Sequence, residues 1–256
     1  MTRPTIDDPV LLGFAAEVGT DDQVTVRGGG TRWEVGGPVD PAARVIRAPV
    51  GIVDVRPDEM TAHVRAGTTV AELHGALAEA GQTTALAESP DSTVGGAIAV
   101  GHSPVTRLGR GHSRDAVLQV RYVDAAGRLV TGGGPTVKNV TGFDLPRLLF
   151  GSLGTLGCMA DVIVRTRPVP EVEHWYRVDG ADPGPLRAAL PTAASMLWDG
   201  ESTWTLLAGY AVDVADDLDR LRDLTGGTPV EDPPPHLPPF RWSRRPRDLR
   251  RLGAEA

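Results

Sequence analysis

Residues Arg27–Gly37 read RGGGTRWEVGG, directly after the apolar run QVTV that ends at Val26. Five glycines in eleven residues give more backbone freedom than an ordinary turn uses. Glycine allows positive φ and close backbone approach, at about 0.5–1 kcal/mol relative to alanine in regular structure. Three in a row after a strand, followed by Thr31 and Arg32, would offer several unpaired N–H groups on one concave surface. Such a nest suits an anion, and phosphate is the usual one. A plain flexible loop is the other reading of this stretch alone. The dinucleotide fingerprint G-x-G-x-x-G opening a helix is absent, since Trp33 and the pair Gly36 and Gly37 oppose a helix start. The chain also has no G-x-x-x-x-G-K-[ST] phosphate loop.

Outward from this loop, Gln23–Val26, Ala43–Ala48, Gly51–Arg56 and Thr61–Ala66 read as short strands between Gly and Pro. Thr69–Ala80 reads as a helix: Thr69 and Glu72 form a capping box, Val70, Leu73 and Leu77 share a face, and Gly81 is the stop. A second glycine-rich region, ESPDSTVGGAIAVGHSP, spans Glu88–Pro104. Ala116–Val123 and Arg128–Thr131 read as a hairpin around DAAG. Gly151–Pro168, GSLGTLGCMADVIVRTRP, ends in a strand with a buried centre at Val162–Val164. After Pro168 prolines multiply, with strands expected at Glu173–Val178 and Ser202–Tyr210 and an amphipathic helix over Asp213–Leu224. The last stretch, RWSRRPRDLRRLGAEA, holds six arginines in eleven residues and suits a solvated terminus or a docking segment.

Composition narrows the function classes. The chain of 256 residues is 41% hydrophobic and 23% charged, as expected of a globular protein. No apolar run reaches the ~18–20 residues of a membrane helix, and MTRPTIDDPV has no signal-peptide core, so a cytoplasmic location is expected. A net charge of −7 argues against general nucleic-acid binding. One cysteine, Cys158, excludes an internal disulfide and a cysteine-based metal cluster, and its setting on a buried strand suggests inert packing. Lys138 is the only lysine among 26 basic residues.

The order RGGGTRWEVGG, PDSTVGGAIA, KNVTGFDLPRLLFGSLGTLG resembles the flavoprotein family of vanillyl-alcohol oxidase and para-cresol methylhydroxylase (PCMH type). Within it, GRLVTGGGPTVKNVTGFDLPRLLFGSLGTLG and GHSRDAVLQVRYVDAAG are similar to the FAD-binding E subunits of bacterial glycolate oxidases. The likeness covers about Val24–Pro168. It implies an α+β fold of two lobes around an extended FAD over residues 1–168, then a small α+β cap over 169–240 and the tail 241–256. It implies that Gly28, Gly29, Gly30 and Thr31 wrap the pyrophosphate, with Arg32 adding charge. Pro90, Asp91, Thr93, Val94, Gly95 and Gly96 would run along the ribityl chain and ring, with Gly111, Gly157 and Val162 also near the flavin.

Departures from the family shape the functional expectation. Thr31 stands at the histidine place used for covalent attachment and the second loop has no cysteine, so noncovalent FAD is expected. His102 and His112 would have hydrogen-bonding or surface roles. The histidine-rich metal motif of the D-2-hydroxyacid dehydrogenases is missing, so no metal is expected and no catalytic residue is named. Leu153 replaces the carboxylate of GSEGTLG, as in E-type subunits. The resemblance implies an oxidoreductase component that passes electrons to flavin or iron–sulfur partner subunits in a complex oxidising a small hydroxyacid or alcohol. A self-sufficient oxidase or dehydrogenase, an assembly subunit, and a reductase like that acting on UDP-N-acetylenolpyruvoylglucosamine are the alternatives. Lys138 is either a surface residue or a compact cation stabilising reduced flavin.

Overall fold

The computed structural model describes residues 7–86, 91–136, 143–226 and 229–234. Pro90, Lys138 and the Arg-rich tail lie outside these residues. The elements in chain order are α1 (Pro9–Val18), β1 (Val24–Val26), a short 3-10 helix (Trp33–Gly36), β2 (Arg44–Ile46), β3 (Ile52–Arg56), β4 (Thr61–Arg65), α2 (Val70–Glu79) and β5 (Gln82–Thr84). The 3-10 helix is one turn at the place where Trp33 and the following glycines oppose a helix start, and no α-helix forms there. Then come α3 (Val94–Val100), α4 (Arg107–Arg110), α5 (Ser113–Ala116), β6 (Val117–Val123), β7 (Leu129–Gly133), α6 (Leu145–Leu149) and β8 (Cys158–Pro168). The remainder is β9 (Val172–Asp179), α7 (Pro183–Ala189), β10 (Ala193–Trp198), β11 (Ser202–Gly209), α8 (Ala211–Thr225) and β12 (Val230–Glu231). The mixture of helices and largely antiparallel sheets is α+β, as the sequence implies.

Two compact units emerge. The first comprises the described residues up to Pro104 together with His112–Val169. The second joins Val105–Gly111 to the described residues from Pro170 onward. A short piece of the glycine-rich half therefore belongs to the second unit, which a contiguous division near Pro168 does not anticipate. Its anchor is close packing: a Cβ built on Gly109 would lie 2.7 Å from the Ala194 Cα.

In the first unit β1 and β2 form a parallel pair, and an antiparallel sheet runs β3-β4-β8-β6-β7, with β5 also pairing β8. Parallel neighbours need a long crossover, and here residues 27–43 supply it. The first glycine loop is thus a crossover, pinned at its ends by Arg27 N–H to Ile46 O and Arg44 N–H to Gln23 O. One face of the larger sheet buries Ala62, Val64, Val120, Val162 and Val164 against Val70, Leu73 and Leu77 of α2 and Ile98 of α3. The α2 capping box is formed, Thr69 and Glu72 each bonding the other's backbone N–H.

Helix α1, which the periodicity reading passed over, packs Leu11, Phe14 and Val18 on Ile46, Val123, Cys158 and Ala160. Its signals are ordinary: Asp8 accepts from the N–H groups of Val10 and Leu11, Pro9 opens the helix, and Gly19 ends it. Burial pushes the Cys158 thiol above its usual range, in keeping with a packing role.

The most expensive feature of this unit is Asp161, fully buried in mid-strand. Cross-strand register places Arg65 on one side of it and Arg121 on the other. Arg65 Nη1 donates to Asp161 Oδ2 at 2.8 Å and Arg121 Nε lies 2.9 Å from Oδ1, with His63 Nε2 3.0 Å from Oδ2. Arg65 also reaches Asp8 at 2.6 Å, tying the α1 cap to the sheet. Removing one partner from a buried pair strands the others, at about 3–5 kcal/mol.

The second unit holds an antiparallel sheet ordered β10-β11-β9-β12. Leu207 and Val178 pack on Leu186 and Leu190 around α7 and on Val214 and Leu221 of α8. Buried Asp217 of α8 accepts from Thr192 N–H at 2.8 Å and Thr192 Oγ1 at 2.7 Å, fixing the start of β10.

Two outcomes follow from the charged cluster. Asp161→Ala should lower unfolding free energy by about 3–5 kcal/mol in urea titration; a change within about 0.5 kcal/mol, the scatter of a surface substitution, would contradict it. The Arg65 hydrogen bond holds the Asp8 carboxyl below its usual range. A depressed native pKa adds stability that is present above the unfolded value and lost as pH falls through the native one. Asp8→Asn keeps a capping oxygen, so it should be destabilised relative to the parent at neutral pH. That difference should fade only below about pH 4.

Candidate cofactor cleft

The three glycine regions meet around one cleft of about 240 Å³ in the first unit. Gly28, Gly29, Gly30, Thr31 and Arg32 line it from the crossover loop, Ser92, Thr93 and Gly96 from the second region, and Leu153 and Thr155 from the third. Trp33, Pro38 and Val39 add apolar surface, and Val100 and His102 come from the end of α3 and just beyond it.

The first loop lies on the second with no room for side chains. A Cβ on Gly29 would fall 1.7 Å from the Asp91 carbonyl oxygen, and one on Gly28 would fall 2.3 Å from Thr93 Oγ1. Asp91 itself turns with φ 61°, a left-handed conformation that aspartate tolerates better than most residues. The second loop is in turn moored to β4 and the approach to α2: Val94 N–H donates to Thr68 O and Val70 N–H to Ser92 O, both at 2.8 Å. Thr93 caps α3, accepting from Gly96 N–H.

Among the described residues, the N–H groups of Gly28, Gly29, Gly30 and Thr31 donate to no protein acceptor. The Ser92 hydroxyl, on a residue only 8% exposed, is likewise without a partner. Among the described residues no aspartate or glutamate lines the cleft, whereas Arg32 and His102 do, with Arg32 Nη2 3.4 Å from His102 Nε2. Arg47 braces the loop from behind through the Gly28 carbonyl at 3.0 Å, and the Arg27 guanidinium stacks 5.2 Å from the Trp33 ring. Open N–H groups, an orphan hydroxyl and positive charge without a carboxylate form a surface for a phosphate-bearing ligand.

The sequence-derived site residues separate into groups. Gly28, Gly29, Gly30, Thr31, Arg32, Thr93 and Gly96 line the cleft. Asp91 stands behind Gly29 as its packing partner. Val94 is fully buried, and Gly95 is pressed on the strand end, where an added Cβ would lie 2.9 Å from the Ala66 Cβ. Gly95 is thus needed for α3 packing, and a side chain there meets protein before any ligand. Gly157 is held against Tyr122, whose ring carbon would be 2.5 Å from an added Cβ. Val162 is fully buried in the apolar core of the sheet and does not face the cleft. Gly111 belongs to the second unit. Pro90 and Lys138 lie outside the described residues.

Sequence reasoning missed Ser92 and Trp33, and it gave His102 no place in the site. Ser92 had a visible signal, lying between two residues that were assigned. For His102 the signal exists only in three dimensions, because α3 carries it back to Arg32. His112 has the expected hydrogen-bonding role, its Nδ1 3.1 Å from Ser103 Oγ.

Comparison with known proteins agrees with this geometry. Residues 13–133 match the family model described as an FAD-binding domain. The chain is 34% identical over 158 residues to glycolate oxidase subunit GlcE of Escherichia coli, covering 60% of this chain and 45% of that one. It is 34% identical over 128 residues to glycolate oxidase subunit GlcD of Bacillus subtilis, covering 48% and 26%. It is 33% identical over 172 residues to D-lactate dehydrogenase of Archaeoglobus fulgidus, covering 66% and 38%. The chain therefore spans less than half the length of each of these relatives. Among solved structures, alkyldihydroxyacetonephosphate synthase superposes with a TM-score of 0.68 at 16% identity, covering 84% of this chain and 47% of that one. The glucose dehydrogenase Phl p 4.0202 superposes at 0.61 with 20% identity, covering 86% and 47%. These two likenesses bear on the fold. Over residues 13–133 the chain is thus similar to an FAD-binding domain, and over 158 residues to the glycolate oxidase subunit GlcE.

Proposed function

We propose that this chain is an FAD-dependent oxidoreductase component, holding FAD noncovalently and passing electrons within a larger complex that oxidises a 2-hydroxyacid. The observation that carries the reading is the cleft lining: among the described residues, N–H groups on Gly28–Thr31 without a protein acceptor beside Arg32, and no carboxylate. These groups would bind the dinucleotide phosphates, and Ser92 would satisfy its hydroxyl on the same ligand. When bound, FAD supplies the acceptor for two electrons; the chain holds it, orients it and tunes its potential. Trp33, Val39 and Leu153 would exclude water along the apolar side. The hydroxyacid and the partner subunits are inferred from GlcE and GlcD, whose names describe subunits of glycolate oxidase.

Among the described residues, no group of three or more His, Cys, Asp or Glu is placed to hold a metal ion. No helix among them is long and apolar enough to cross a membrane. A cytoplasmic location remains part of the proposal.

Gly29→Ala should force the first loop off the Asp91 carbonyl and weaken FAD binding by at least about tenfold, since a backbone atom cannot yield as a side chain can. Gly75→Ala, where a Cβ meets nothing within 4 Å, is the matched control and should bind FAD normally. Equal affinity in both variants would refute the loop assignment. Acid precipitation of the yellow protein should leave the flavin in the supernatant. Fluorescence retained by the washed pellet would point to a covalent link, with His102 the described imidazole to examine. Dye reduction driven by a 2-hydroxyacid should be weak with the chain alone and rise when partner subunits are added; full turnover by the isolated chain would reject the component role.

A further inference from the structure

The turn Ser152–Thr155 sets sequence against backbone. Thr155 N–H donates to the Ser152 carbonyl at 3.0 Å, and the two central residues, Leu153 and Gly154, have φ of 54° and 78°. Positive φ at both central positions is the type I′ pattern, which selects Asn, Asp and Gly. Leucine has no short polar group to offset the crowding of its Cβ by the following carbonyl. The turn is nevertheless fixed: Leu153 N–H donates to Ala99 O at 2.8 Å and Gly151 N–H to Ile98 O at 2.9 Å.

Core packing does not account for the leucine, because it is 44% exposed. It lines the cleft instead, near the crossover loop, where a Cβ built on Gly36 would lie 3.8 Å from Leu153 Cδ1. A side chain that is unfavourable in its own turn and only half covered by protein is turned toward the space a ligand occupies. Strain of this kind persists where the surroundings over-determine it, and it concentrates at ligand sites.

We propose that Leu153 is a cofactor-contact residue whose side chain packs on an apolar ring face of bound FAD. The contact completes the burial of the leucine, so the cost of its backbone conformation is offset only in the loaded protein. This inference rests on the FAD reading of the cleft.

Two variants separate contact from conformation. Leu153→Ala keeps the left-handed cost and removes the wall, whereas Leu153→Asn removes the wall and relieves the turn. FAD affinity is read from flavin fluorescence on titration into the cofactor-free full chain, and the thermal midpoint of the cofactor-free protein is read alongside. Leu153→Ala should bind FAD about tenfold more weakly than the parent, with an unchanged midpoint. Leu153→Asn should show a similar loss of affinity together with a midpoint raised by about 2 °C. Parent-like affinity in both variants overturns the inference. So does an affinity loss that tracks a lowered midpoint in both, which would mark a packing role. A parent chain that binds no FAD overturns the proposed function and this inference with it.

Discussion

The cleft depends on a steric constraint: two loops sixty residues apart lie so close that neither Gly28 nor Gly29 has space for a β-carbon. That contact fixes the start of the crossover between β1 and β2, where no sheet or helix ladder runs through Gly28 and Gly29. Among the described residues it also leaves the N–H groups of Gly28 to Thr31 without a protein acceptor. A backbone donor that is not used by the fold is costly unless water or a ligand takes it. The same approach therefore builds the cleft and gives it affinity for an anion.

Behind the cleft, the arrangement is held by charge as well as by apolar packing. Asp161 is bracketed by Arg65 and Arg121 on the neighbouring strands, and Arg65 extends the chain of contacts to Asp8 at the start of α1. Helix α1 in turn packs on Ile46 at the end of β2, with Val24 and Val26 of β1 against the same cluster. An apolar core alone would hold α1 with latitude in its position. Opposite charges on three adjacent strands and a helix cap accept few alternative registers, because any slip leaves a buried ion unpaired.

Much of this was legible in the sequence, and the reasons differ by element. Helix α2 announces itself through its capping box, β6 and β7 through the DAAG turn between them, and β8 through its apolar centre, because those signals are local. The glycine regions indicated a ligand, yet the sequence could not divide their glycines by purpose. Gly29 and Gly95 look alike as letters; one makes room for a facing loop and the other for Ala66 on a strand end. Val162 looked like a lining residue because it sits in a matching strand, and the pleat turns it into the core instead. His102, the Leu153 turn and the recruitment of Val105–Gly111 into the second unit are set by tertiary placement, which no local pattern encodes.

The central claim is that the unpaired amides of the first glycine loop take the phosphates of FAD. Amide hydrogen exchange, compared between the cofactor-free and FAD-loaded full chain, reads those groups directly. The account predicts slowed exchange at Gly28 through Arg32 on loading, while the amides of α8 in the second unit stay unchanged. FAD binding that leaves exchange at Gly28–Arg32 unaltered would contradict it.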